Sequence, residues 1–170
     1  MKRLLPILIS SFLLFSILII SGCTIGGSDK DARNVLSSYL DNVTKGDYDA
    51  AYDLLCKYDQ QKISKDVFVK WREAVAKITK FDSYSIGEKS DKFGKMETFG
   101  VVYTKSYGFD VNLKIDKLIE NADLTDMYEQ ETYKQMVVYE DGTWKMGLFY
   151  EDLESRTSKY NELISENSKK

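Results

Sequence analysis

The spacing of apolar residues changes near Phe81 from helical to alternating, and that change dictates the order of the architecture. Upstream, hydrophobic side chains recur every three or four positions; downstream they alternate. The chain is therefore expected to place helices first and an antiparallel sheet second, an α+β plan. Val35, Leu36, Tyr39, Leu40 and Val43 make one stripe of a helix over 31–45, with Ser28 or Asp29 as its cap. Gly46 can take the left-handed conformation that ends a helix, and Asp47 can cap the next one, expected over 48–57. Ser64 opens a third helix whose buried seam is Phe68, Trp71, Val75 and Ile78.

In the second half, Tyr84 and Ile86 mark a first strand, closed by the polar stretch 87–95. Odd positions from Phe99 to Ile115 are then apolar except for Lys105. At about 3.3 Å per residue that run would exceed roughly 50 Å, too long for one strand in so small a domain. A break is expected at Ser106-Tyr107-Gly108. After a polar connection over 121–131, a strand over 133–139 meets the tight-turn signature Glu140-Asp141-Gly142 and a partner carrying Trp144, Met146, Leu148 and Tyr150. Leu153, Tyr160, Leu163 and Ile164 suggest a last amphipathic helix over 151–164, followed by a frayed polar tail.

Met1-Lys2-Arg3 followed by an apolar run from Leu4 to Ile20 has the form of a secretory signal, and small Ser21 and Gly22 precede Cys23. The segment Ile20-Ser21-Gly22-Cys23 resembles the lipobox of bacterial lipoproteins, in which the thiol is alkylated by diacylglycerol and becomes the mature N-terminus. That resemblance implies cleavage between Gly22 and Cys23, lipidation (palmitate-type chains) at Cys23, and a domain held on the extracytoplasmic face of a bacterial cell membrane. An uncleaved span is the alternative, since the run is near the lower limit of about 17 residues. Residues 1–22 are thus expected to be a signal peptide and 23–30 a lipidated cysteine with a short spacer. Loss of Lys2 and Arg3 would take the formal charge from −3 to −5, and so acidic a body is repelled by anionic headgroups.

Composition removes several functions. The chain of 170 residues has no histidine, which rules out His-based triads, proton shuttles and His zinc or iron sites. Its acidic balance and lack of a basic tract argue against nucleic acid. With Cys23 acylated, Cys56 has no intrachain partner and reads as a buried structural thiol on the core side of the second helix. The groups Asp47/Asp49/Asp53 and Glu151/Asp152/Glu154 lack calcium-loop spacing, so no metal and no cofactor is expected.

Three passages carry a second resemblance: Tyr39-Leu40-Asp41 through Lys45-Gly46-Asp47-Tyr48-Asp49-Ala50-Ala51-Tyr52-Asp53-Leu54-Leu55, then Ile63-Ser64-Lys65-Asp66-Val67-Phe68, then Tyr139-Glu140-Asp141-Gly142-Thr143-Trp144-Lys145-Met146. They resemble the nuclear-transport-factor-2-like superfamily, in particular its small lipoproteins of unassigned function. The resemblance implies a cone-like domain over 31–150, helices in the concave face of a curved antiparallel sheet, with 151–170 as a C-terminal helix and tail. It also implies a pocket at the open end, for which Trp71, Tyr103 and Tyr107 are the candidates. No catalytic motif of the enzymatic members matches. The expected function is binding, without catalysis, of a small ligand or an envelope protein. One alternative is a dimerising module with an exposed patch around Tyr128, Tyr133 and Tyr139. The other is a pocket isomerase or cyclase using Asp110 or Asp116 with Tyr103. Against all of these stands the reading in which the aromatics are core and the aspartates lie on solvated strand faces.

Overall fold

The computed structural model describes residues 27–90, 94–98, 100–119 and 132–169. Cys23, the leader, Phe99, Tyr128 and the 121–131 connection lie outside the described residues. The elements run α1 (Asp29–Lys45), α2 (Tyr48–Asp53), α3 (Lys57–Lys62), α4 (Lys65–Ile78), β1 (Thr79–Ser90), β2 (Met96–Thr98), β3 (Val101–Tyr103), β4 (Lys105–Lys117), β5 (Thr132–Glu140), β6 (Thr143–Gly147) and α5 (Leu153–Asn167). This is an α+β fold with helices against a curved antiparallel sheet, ordered β1-β4-β5-β6, and a separate β2-β3 hairpin.

The helix starts follow local chemistry. Ser28 and Asp31 form a reciprocal capping box on α1, and Gly46 closes that helix in the left-handed region. The Asp47 side chain accepts from the Ala50 amide, and Ser64 accepts from Val67. Leu36, Tyr39, Leu40 and Val43 of α1 meet Phe68, Trp71, Val75 and Ile78 of α4 over Phe109, Val111, Leu113, Val137, Trp144 and Met146 of the sheet. Arg72 is buried in the same layer, its guanidinium 5.0 Å from the Trp71 ring and 5.3 Å from that of Phe81. Helix α5 packs on α4 and contributes Leu153 and Tyr160 to this core.

The other sheet face is polar where it is open. Asp110 lies directly opposite Lys134 and pairs with it at 2.6 Å, and Lys114 pairs with Asp82 at 2.6 Å. Asp116 is also exposed. At one corner of this face a smaller core forms from Cys56, Tyr103 and Val138, with Tyr58, Met96, Val101 and Phe149 packed against it.

Four expectations need correction. The second helix stops at Asp53 instead of continuing to residue 57. Leu54 caps the helix, and Leu55 and Cys56 then run beside β6: the Cys56 amide donates to the Met146 carbonyl at 2.7 Å and the Met146 amide to the Leu54 carbonyl at 2.9 Å. Cys56 therefore sits just before α3 and not on a helix; alternation sends Leu55 to the main core and Cys56 to the smaller one. β1 runs on through Gly87 to Ser90, because a bulge absorbs the polar stretch and Arg33 of α1 donates to the freed carbonyls of Ile86 and Gly87 at 2.9 and 2.7 Å. The long alternating run breaks at Thr104, between β3 and β4, while Ser106-Tyr107-Gly108 continue as paired strand. The β5–β6 turn is as expected: Asp141 and Gly142 both have positive φ, 47° and 81°, the geometry that matches strand twist in a two-residue loop.

Candidate functional site

The three aromatic residues expected to share a pocket do not meet in one. Trp71 is 2% exposed, its ring 5.8 Å from Phe68 and 5.7 Å from Tyr150, so it fills the space between α4 and the start of α5. Tyr107 stacks on Trp144, rings 4.9 Å apart, on the helix-facing side of the sheet. Tyr103 lies in the smaller core on the reverse side. The break at Thr104 resets the alternation and puts Tyr103 on the face opposite Tyr107. Tyr103 and Asp110 do not form an acid-base pair: the tyrosine hydroxyl points at Cys56 and the aspartate accepts from Lys134. Tyr133 and Tyr139 are half-buried against the main core and form no exposed patch.

The smaller core contains a buried polar chain that the sequence pattern did not mark. The Tyr103 hydroxyl donates toward Cys56 Sγ at 3.6 Å, and the thiol donates to Asp59 Oδ2 at 3.2 Å. Asp59 is fully buried on α3 and also accepts the Leu148 amide at 2.7 Å and the Phe149 amide at 2.8 Å. Burial pushes the Cys56 thiol up to about 12, with the Asp59 charge adding to the shift. Burial likewise raises Tyr103. For Asp59, burial raises the carboxyl and outweighs the two amides and the thiol that pull it down. Such a thiol is a poor nucleophile because the thiolate is the reactive form. In a chain beginning after Cys23, Cys56 is expected to resist thiol reagents until denaturant is added. Prompt labelling of the folded chain would contradict this packing.

Asp59 also shapes the neighbouring surface. By holding the 148 and 149 amides it supports Phe149 at φ 54°, and Asp152 follows at φ 60°, where its side chain caps α5 through the Ser155 amide at 3.3 Å. Two non-glycine residues in the left-handed region cost of order 1–2 kcal/mol each, and here hydrogen bonds hold both. The bent segment leaves a cleft of about 520 Å³ against the end of α3 and the first turn of α4. Tyr58 and Tyr150 supply its aromatic surface, Ile63, Val67 and Leu153 its apolar surface, and Lys62, Glu151, Asp152 and Glu154 its charges. The Tyr52 hydroxyl fixes the loop between α3 and α4 by donating to the Ile63 carbonyl at 2.8 Å. Lys62 Nζ lies 5.9 Å from the Tyr58 ring centre, so this surface already accommodates one cation over an aromatic face.

The volume falls within the range of about 300–1,000 Å³ typical of small-molecule sites. Three carboxylates against one lysine favour a ligand with positive charge, and the tyrosines favour one with an apolar or flat part. Among the described residues no group of three or more acidic or cysteine side chains is placed to hold a metal ion. Nor is any described helix long and apolar enough to cross a membrane. No protein-family model matches the chain, and no curated protein matches it. The cleft residues were missed because Glu151, Asp152 and Glu154 read as solvated helix ends. The usable signal was the pair of capping residues, Ser64 and Asp152, each beginning a helix beside a tyrosine-bearing segment.

Proposed function

We propose that the chain is a lipid-tethered extracytoplasmic binding domain that holds a small, positively charged ligand in the Tyr58–Tyr150 cleft without transforming it. Cys23, following an apolar leader and Ser21-Gly22, is the acylation site, and the signal peptide 1–22 is removed. The succession of helices and then sheet supports a nuclear-transport-factor-2-like, cone-shaped domain, although its interior is filled by Trp71, Tyr39 and Phe109 and the cleft opens beside α3 instead. Two acyl chains hold a protein on a bilayer stably where one binds only marginally.

The observation that carries the binding reading is the cleft itself, with aromatic walls, an acidic rim and ligand-sized volume. The buried Tyr103–Cys56–Asp59 chain supports a non-catalytic role, since its donors are directed inward at one another and at backbone. The test is an NMR screen of the folded domain with small amines and aromatic cations. Shifts are expected at Tyr58, Tyr150 and Leu153. The double variant Glu151→Lys, Glu154→Lys alters only exposed rim charges and is expected to weaken binding by roughly tenfold, about 1.4 kcal/mol. Shifts confined to other surfaces, or binding indifferent to the rim charges, would overturn the assignment of this cleft.

A further inference from the structure

Gly27 is packed directly on the sheet. A Cβ added there would overlap Trp144 Nε1 and fall 2.6 Å from Tyr139 Cε2, so the absence of a side chain is what lets the backbone lie on these rings. Trp144 begins a cluster at one end of the sheet, with Tyr107 stacked on it and Tyr139 against its edge at 5.1 Å. Two lysines lie over these rings: Lys89 Nζ is 4.4 Å from the Tyr107 ring centre and Lys105 Nζ is 5.2 Å from that of Tyr139. Lys89 also pairs with Asp29 at 2.5 Å and so fastens the start of α1 to the same end of the sheet.

The proposed acylation site lies four residues before this docked glycine. Four residues reach at most about 14 Å even when fully extended. The lipid attachment is thus within one short reach of a fixed point on the fold, and a domain held so closely cannot turn freely. We propose that the sheet end bearing the β5–β6 turn, with Lys105, Tyr139 and Thr143, is the membrane-facing surface of this domain, set against the lipid headgroups by the docking of Gly27 on Trp144 and Tyr139. This rests on the lipid-anchor reading above. Tyrosine and lysine are residue types that tolerate headgroup depth, the two carboxylates of the same turn, Glu140 and Asp141, are engaged by the Lys57 amide and ammonium, and the tether supplies the attraction that the acidic body lacks. The cleft lies where α3, the first turn of α4 and the segment beyond β6 meet, and α3 starts beside the same β5–β6 turn, the Lys57 amide donating to Glu140 Oε1 at 2.9 Å.

The orientation is tested on the lipidated protein, purified from bacterial membranes and reconstituted in phosphatidylcholine–phosphatidylglycerol vesicles containing a nickel-chelating lipid. Spin labels are placed through Thr143→Cys at the docked end and Lys80→Cys near the start of β1; both positions are exposed. Lys80 pairs with Asp116, which lies eleven residues along β4 from Lys105 at the docked end, so residue 80 is about 35 Å along the strand from that end. Nickel relaxation is expected to be several-fold stronger at residue 143 than at residue 80. Gly27→Val is expected to flatten that difference while the protein still floats with vesicles. A flexible insert of about ten residues after Cys23, adding roughly 17 Å of mean reach, should do the same without touching the docked contact. Protein that floats but shows equal or reversed relaxation would overturn the orientation and leave the anchor standing. Protein that does not float would overturn both.

Discussion

Replacing Trp71 with alanine is expected to lower stability by about 3–5 kcal/mol, the range for removing a large aromatic side chain from a packed core. The indole is 2% exposed and lies between Phe68, Tyr150 and the Arg72 guanidinium. Its loss would open space along the α4–α5 contact and leave Arg72 with one aromatic face fewer. Trp71→Phe should recover much of the difference, because the indole Nε1 makes no hydrogen bond among the described residues and shape is what is lost. Urea unfolding of the three proteins measures this directly, with midpoints shifting at constant slope. An alanine variant within about 1 kcal/mol of the parent would contradict the core placement, since ordinary surface changes fall in that range.

Asp59→Ala is expected to be nearly as damaging for a different reason. It removes the acceptor for the Leu148 and Phe149 amides and for the Cys56 thiol in a fully buried setting. Each buried donor left without a partner costs about 1–3 kcal/mol, so a loss of roughly 2–6 kcal/mol is expected from the two amides. The bend at Phe149 that borders the cleft should loosen at the same time, visible as faster amide exchange over residues 148–152. Asp59→Asn keeps one carbonyl acceptor and should be milder. Burial raises the Asp59 carboxyl in the folded chain, so the folded state holds this proton more tightly than the unfolded state. The associated stability is fully present below the ordinary aspartate value of about 4 and is lost as pH rises through the higher folded value. The stability advantage of the native carboxyl over the Asp59→Asn variant, which does not titrate, is therefore greatest in acid and narrows towards neutrality. A gap that widens with pH would mean that the amides, not burial, govern this carboxyl.

Much of the fold was legible because its determinants are local. Ser28, Gly46, Asp47 and Ser64 punctuate helices through their own backbone and side-chain geometry, and the seam Phe68-Trp71-Val75-Ile78 repeats with the helical period. The Asp141-Gly142 turn is equally self-contained. What was not legible depends on partners far along the chain. Leu54 to Cys56 leave the helix to bond with Met146, and Asp59 finds its donors at Leu148 and Phe149. No spacing around Tyr58-Asp59-Gln60 announces such contacts. The strand break falls at Thr104, which carries no turn signature, while Gly108, which does, continues as paired strand. That displacement also undid the expected pocket: alternation assigns a face only within one uninterrupted strand, and Tyr103 lies before the break. The cleft is assembled from α3, α4 and the segment before α5, elements whose proximity follows from tertiary packing.

The intact mass of the protein extracted from bacterial membranes tests acylation of Cys23 directly. The predicted species begins at Cys23, lacks residues 1–22 and carries the added mass of a diacylglyceryl group, and it disappears from membranes in the Cys23→Ala variant. A chain still beginning at Met1, or a shortened chain with no lipid on Cys23, would contradict it.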